Sequence, residues 1–337
     1  MFDDSPISLN IWKYFNDKYG QLLTPVGLLR CCSVVSAKLE YPRLNLFIVA
    51  PTRQFKSQMT YEMKHIFPTN FWVWLGSDFT IHSVQEKFGS KGLNNKCMLI
   101  NDATLLFSSK QTRTKDRLIN AIAELASDGT YIYGERDQKS SFTLKADVSI
   151  IMNMTTESYL SNEKKLMTST FLERFMTIFY QMPEVEFQRV AEEYKNKKDM
   201  KINKKITLGA VKKINNLYDV KYHKNITEYA KLFSVYEMKS YASGLDHVYS
   251  LIRSHCYLNG RDYMCDDDIK LLKITLDYLN NTTAPNRSKI IMFHNQGRSQ
   301  LDICLLLGKN PKKYQPYVSK ILSLAKIRGI IDDIRVK

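Results

Sequence analysis

Ala50-Pro51-Thr52-Arg53-Gln54-Phe55-Lys56-Ser57 has the spacing and the ending of a phosphate-binding P-loop, G-x-x-x-x-G-K-[ST], but carries neither glycine. In the full pattern, backbone N–H groups wrap the phosphates, the Lys reaches the outer ones and the hydroxyl holds Mg²⁺. Lys56 and Ser57 keep those two side chains. Upstream, Leu46-Phe47-Ile48-Val49 is a short apolar run of the buried-strand kind, and downstream Met59, Met63 and Ile66 recur at helical spacing. The stretch therefore reads as strand, loop, helix. Glycine supplies positive φ and lets backbone approach a ligand with no Cβ in the way. Ala50 is a mild departure and Phe55 a severe one: a Phe fits only with a φ/ψ that suits an L-residue and a ring turned away from the phosphates. Nucleotide binding that is weak or absent stands beside the P-loop reading.

Working outward, Phe71-Trp72-Val73-Trp74-Leu75 and Cys97-Met98-Leu99-Ile100 are further strand candidates, the second followed at once by Asn101-Asp102. Leu118, Ile122 and Leu125 predict an amphipathic helix over 115–127, stopped by Gly129. Val148 to Met152 predicts a fourth strand ending at Asn153. Strands alternating with helices predict an α/β domain with a largely parallel sheet, in which ligands sit at the carboxyl ends of the strands. Ser57, Asp102 and Asn153 each follow a predicted strand at that end.

The 337 residues allow two or three domains, and 44% hydrophobic content argues for a folded chain. Lys plus Arg number 49 against 34 acidic residues, a net +15 that favours a polyanionic partner such as nucleic acid. The six cysteines make no C-x-x-C pair and read as reduced core residues. No signal-peptide pattern opens the chain and no apolar run approaches roughly 18 residues, so the expectation is an intracellular, cytoplasmic protein with no membrane partner. None of the six histidines forms a metalloprotease motif or a triad.

Ten lysines between Lys195 and Lys224 mark a solvated insertion over 187–225. Amphipathic helix returns over 226–283. From 284 to 337 the pattern is helix near Arg287–Phe293, helix near Ser299–Leu307, a break at Gly308-Lys309-Asn310-Pro311, a longer helix from Tyr314 to Arg328 and an alternating Ile330–Val336 strand. Three helices and a β-wing predict a winged helix-turn-helix whose third helix enters the major groove. Lys312, Lys313, Lys320 and Lys326 are its candidate DNA contacts. A winged helix that docks on protein is the competing reading.

With these pieces in order, the chain resembles the AAA+ ATPase domain of minichromosome-maintenance (MCM) helicases followed by their winged-helix tail, over about residues 20–337. Lys56-Ser57-Gln58-Met59 is similar to the MCM P-loop ending Lys-Ser-Gln-Leu; Met98-Leu99-Ile100-Asn101-Asp102 to the Walker B strand and acid pair; Ser149-Ile150-Ile151-Met152-Asn153 to the strand ending in a sensor Asn. Leu172-Glu173-Arg174-Phe175 resembles the arginine-finger motif Leu-Ser-Arg-Phe, and Leu251-Ile252-Arg253 the lid helix, with Gly260 to Ile269 like the turn and acidic cap that follow.

The resemblance implies an AAA+ core over 1–186, a helical lid over 226–283, and ATP with Mg²⁺ bound at Ala50–Ser57. Lys56 would neutralise the outer phosphates, Ser57, Asn101 and Asp102 would hold the metal, and Asp102 and Asn153 would activate and orient water. Arg174 would reach a neighbour's nucleotide, which implies a homo-oligomeric ring, six-fold in the family, working on DNA alongside other replication proteins. The departures cluster on catalysis: both glycines, the Walker B Asp replaced by Asn101, and the lid's sensor Arg, whose candidate positions hold Ser243, Gly244 and Asp246. Two functions therefore stand side by side: a DNA-dependent ATPase or helicase motor, and a catalytically degenerate DNA-binding initiator, loader or regulator.

Overall fold

The computed structural model describes residues 7–76, 79–107, 113–133, 141–168, 171–197, 220–223, 226–237, 239–282 and 287–327. Two apolar helices come first, α1 (Ile7–Tyr19) and α2 (Thr24–Ser36), the latter with Pro25 in its first turn, where no amide donor is needed. The alternating core follows as β1 (Leu46–Ala50), α3 (Lys56–Ile66), β2 (Trp72–Leu75), α4 (Ile81–Lys87), α5 (Gly89–Leu93), β3 (Lys96–Ile100) and α6 (Arg113–Ser127). Then come β4 (Thr130–Tyr133), β5 (Phe142–Lys145), β6 (Val148–Thr155), α7 (Thr156–Thr168), β7 (Met176–Phe179) and α8 (Glu184–Lys197). Helices close the chain: α9 (Ile226–Glu237), α10 (Tyr241–Leu258), α11 (Asp266–Thr282), α12 (Arg287–Asn295), α13 (Gln300–Leu306) and α14 (Pro311–Ile327).

The five-stranded sheet has the order β2-β3-β6-β1-β7 with every neighbouring pair parallel, so the α/β expectation holds. Its strands are near-continuous apolar runs because helices cover both faces. Alternate residues of β1 show this: Leu46, Ile48 and Ala50 join α1, α2, α3 and the α10–α11 helices in one core, and Phe47 and Val49 join α6 and α7 in another. Ile290, Ile303, Val318 and Ile321 of the three C-terminal helices belong to this second core.

Strand β7 and the β4–β5 hairpin, with Tyr133 stacked on Phe142 at 5.1 Å, lie outside the sequence expectations. The boundary drawn at 186/187 falls inside α8, whose Tyr194 ring lies 5.5 Å from that of Tyr19 on α1. The β-wing over 330–336 and most of the lysine-rich stretch lie outside the described residues. Among the described residues no helix is long and apolar enough to cross a membrane. The six cysteines are free, and all but the half-buried Cys265 are buried, as expected of reduced core residues.

Candidate functional site

The loop after β1 holds two non-glycine residues in the left-handed region, Arg53 at φ 63° and Phe55 at φ 58°. Phe55 occupies the position where the P-loop pattern has its second glycine. The expectation that a Phe there needs an ordinary L-residue conformation is therefore corrected: the backbone keeps the turn that glycine would supply. A left-handed Phe costs about 1–2 kcal/mol, and its ring recovers this by burial. Phe55 is 6% exposed and packs against Tyr19, Phe187 and Tyr194 with centroids 5.7, 5.6 and 5.5 Å away. Burial of such a ring contributes about 1.5–3 kcal/mol. The second half of the expectation holds, because the ring points into the core and leaves the loop mouth clear.

Lys56 opens α3, and its ammonium donates to Ala50 O at 2.7 Å and Pro51 O at 2.5 Å. Burial lowers its pKa to about 8, opposed by the carboxylates of Glu157 and Asp102 and assisted by Arg30. Helix α3 has no side-chain cap, so the N–H groups of its first turn find no side-chain acceptor. Ser57 beside them is exposed. Gln54 anchors the loop to the chain after β7: its side-chain amide donates to Met182 O at 3.2 Å and accepts from Met182 N at 2.6 Å. Tyr180 Oη donates to Gln54 O at 2.6 Å. A cavity of about 420 Å³ opens here, between Pro51, Thr52 and Arg53 on one side and Gln181, Pro183 and Glu184 on the other.

Two strands away, β3 ends at Ile100, and Asn101 is half-buried while Asp102 is exposed. Asp102 Oδ1 accepts from Thr104 N at 2.8 Å, which fixes the turn after the strand. Asn153 lies inside β6, opposite Ile48, and the strand continues to Thr155. That corrects the reading of Asn153 as the residue after the strand; the run Asn153-Met154-Thr155 stays extended because β1 reaches as far as Ala50 to pair with it. The Asn153 amide is held on both sides: Nδ2 donates to Thr60 Oγ1 at 2.8 Å and Asn101 O at 3.1 Å, and Oδ1 accepts from Arg30 Nη2 at 3.0 Å. Arg30 Nη1 also donates to Thr60. Arg30, Thr60 and Glu157 went unread in the sequence. Arg30 sits in an apolar helix with no motif around it, and Glu157 was detectable only as an acid two residues past a strand end.

The structure does not bring Arg174 to this group. It ends the short turn two residues before β7, at the amino end of the sheet, half-buried in a small recess with Tyr41 and Asp246. Its backbone carbonyl accepts from Asn45 Nδ2 at 3.1 Å. Of the three positions where the resemblance would place a sensor Arg, packing closes Gly244, while Ser243 and Asp246 are half-buried. A Cβ on Gly244 would stand 2.5 Å from Ala230 O, so the α9–α10 crossing excludes a side chain there. Lys312, Lys313, Lys320 and Lys326 are all exposed on α14, opposite the buried Val318, Ile321 and Ala325.

Among the described residues no group of three or more His, Cys, Asp or Glu side chains is gathered to hold a metal. The donors near the loop are the Ser57 hydroxyl and the carboxylates of Glu157 and Asp102, whose charges Lys56 feels. No protein-family model and no curated protein matches the sequence.

Proposed function

We propose that this chain is an MCM-like AAA+ ATPase that binds ATP at Ala50–Ser57, hydrolyses it between subunits of a ring and acts on DNA in replication. The observation that carries the reading is the left-handed backbone of Phe55. The ring's burial makes the strain tolerable, and the left-handed turn it permits, one residue before a Lys-Ser helix start, is the backbone shape that a P-loop glycine supplies. The strand order adds support: β6 lies between β1 and β3, so Lys56, Asn153 and the Asn101-Asp102 pair come from three adjacent strands.

The residues fit a phosphate better than they fit a tightly held metal. The uncapped first turn of α3 offers N–H donors and a helix dipole, and Lys56 can exchange two loop carbonyls for an anion. For Mg²⁺, Ser57 and Asp102 would be the protein's donors, and Asn101 brings no charge where a carboxylate would. When bound, Mg²⁺ with ATP would supply the phosphoryl group and its countercharge. Lys56 then spreads the outer-phosphate charge, and Asp102, with Oδ1 held by Thr104 N, offers its other oxygen to a water. Asn153 could donate to that water only after giving up a partner, since both Nδ2 hydrogens are taken, while its Oδ1 keeps one lone pair beside the Arg30 bond. Arg174 lies at the opposite end of β7, and a strand of four residues spans roughly 13 Å. A finger role for Arg174 is therefore a role on a neighbour's nucleotide.

The test is ATP turnover by the full chain with and without single-stranded DNA. The expected result is stimulation by DNA, loss in Lys56→Ala and in Arg174→Ala, and partial recovery when those two variants are mixed. Wild-type turnover no higher than that of Lys56→Ala sinks the enzyme reading. Asn101 and the inward-bonded Lys56 favour the second reading in that case, a DNA-binding initiator, loader or regulator without significant hydrolysis.

A further inference from the structure

The edge of the sheet farthest from β7 carries a band of aromatic rings and cations that the nucleotide loop does not use. Among the described residues β2 pairs only with β3 and is the end strand of the sheet. Trp72 and Trp74, two residues apart, share the face covered by α3, and both are half-buried. From α3, Tyr61 is 50% exposed and stands edge-on to Trp74 with centroids 6.1 Å apart. His65, one turn further on, lies 5.1 Å from Tyr61. The Lys64 ammonium is 3.5 Å from the Trp74 centroid, 4.9 Å from that of Tyr61 and 5.5 Å from that of Trp72. At the amino end of the strand, Lys38 lies 4.6 Å over Phe71 and feels the charge of Lys96.

Neither Lys38 nor Lys64 forms an ion pair with a carboxylate among the described residues. These two come from α3 and from the chain after α2, and they converge on the rings from both ends of β2. A partner suited to the band carries negative charge and flat π-faces together. Duplex DNA hides its base faces in the stack, and an acidic peptide brings charge without rings. Single-stranded nucleic acid brings both, and base–aromatic stacking with cation assistance is how such strands are held.

We infer that the β2–α3 edge, built from Tyr61, Lys64, Trp72 and Trp74 with Lys38 at its end, binds single-stranded nucleic acid. Unpaired bases stack on the exposed Tyr61 ring and against the parts of Trp72 and Trp74 that α3 leaves uncovered, and Lys64 and Lys38 turn from the rings to the phosphates. The edge strand stands three strands away from β1, so the inference holds whether or not the loop binds ATP, and its failure would leave the nucleotide reading intact.

The test exploits the chain's own fluorophores, since two of its three tryptophans are Trp72 and Trp74. The full chain, without nucleotide, is titrated with end-labelled oligodeoxythymidylate and with oligouridylate of about 16 residues. Anisotropy of the label reports binding and intrinsic tryptophan emission reports stacking. The expected result is saturable binding of at least one of the two with quenching. The expected loss is about 10-fold or more in Tyr61→Ala/Lys64→Ala, and none in Tyr61→Phe, which keeps the ring. Far-UV circular dichroism of each variant checks folding. Unquenched tryptophan at saturation in the wild type overturns the proposal without recourse to any variant. So does equal affinity of the folded double variant, equally tight quenching by polyglutamate, or no binding of either oligonucleotide.

Discussion

Arg30 Nη2 donates to Asn153 Oδ1 at 3.0 Å, tying the middle of α2 to the strand that carries the proposed sensor amide. The guanidinium is fully buried, forms no ion pair among the described residues, and its Nε has no hydrogen-bond partner. Burial lowers its pKa to about 10, against partial compensation from Tyr180, Tyr19 and neighbouring thiols. It stays charged at neutral pH, so the fold carries a buried cation neutralised only by neutral acceptors, a costly arrangement.

Two substitutions separate the terms. Arg30→Met releases the charge and leaves Asn153 and Thr60 each short of a donor, costs of about 1–3 kcal/mol per group that the released desolvation largely offsets. Asn153→Ala removes an acceptor from a charge that remains buried and is the more damaging change, at about 3–5 kcal/mol. Urea unfolding of both should rank Asn153→Ala as the less stable variant. The reverse ranking would mean that Arg30 is held by something other than this amide.

Lys56 makes stability and nucleotide affinity depend on pH in opposite senses. Its folded pKa, lowered by burial to about 8, lies below the 10.5 of an unperturbed lysine. Between those values the unfolded chain binds more protons, so stability contributed by this group rises with pH; below about 8 the full cost of the buried charge is present. The rise, on the order of 2–3 kcal/mol, should vanish in Lys56→Met when melting is compared at pH 7 and pH 10. An anion needs the charged form, so ATP affinity of the wild type should fall from pH 7 to pH 9 while that of Lys56→Met stays flat. Parallel pH profiles for the two proteins in both assays would show that Lys56 does not titrate in this range.

Phe55→Gly is the direct test of the loop. The substitution relieves about 1–2 kcal/mol of left-handed strain and removes a ring that contacts Tyr19, Phe187 and Tyr194. Loss of a buried Phe costs about 3–5 kcal/mol, so the net expectation is destabilisation by about 2–3 kcal/mol. Because the ring does not enter the loop mouth, ATP affinity of the folded variant should stay within about 3-fold of wild type by calorimetry. Binding tightened by more than 10-fold would mean that the ring crowds the phosphate site after all.

Strands β1, β3 and β6 were legible because each begins as a short, mostly apolar run; β3 ends directly at a polar residue, Asn101, whereas Pro51 follows β1 and Asn153 lies inside β6. Strand β7 was not: Met176-Thr177-Ile178-Phe179 is short and has a Thr inside it, and only its pairing with β1 makes it a strand. The conformation of Phe55 ran against local preference, and it is set by core packing distant in sequence, from Tyr19 on one side and Tyr194 on the other. Arg30 escaped for the same reason, since an arginine amid Leu28, Leu29, Cys31 and Cys32 reads as a lone polar interruption until its partners on α3 and β6 are known.

The proposed DNA contact of the C-terminal helices is best tested by charge substitution. Deleting residues 284–337 would strip Ile290, Ile303, Val318 and Ile321 from the second core, so weak binding by a truncated chain would report unfolding as readily as a lost contact. Lys312, Lys313 and Lys320 are exposed on α14, on the side away from Val318 and Ile321, and their removal leaves the packing untouched. As phosphate contacts, each changed to Ala should weaken duplex binding to a similar degree on unrelated sequences and reduce the slope of log K against log salt by about 1. The triple variant should lose about three units of slope and keep its melting temperature. Binding by the triple variant that matches wild type in both affinity and slope would remove α14 from the interface, and the lysines between 195 and 224 would become the next set to neutralise.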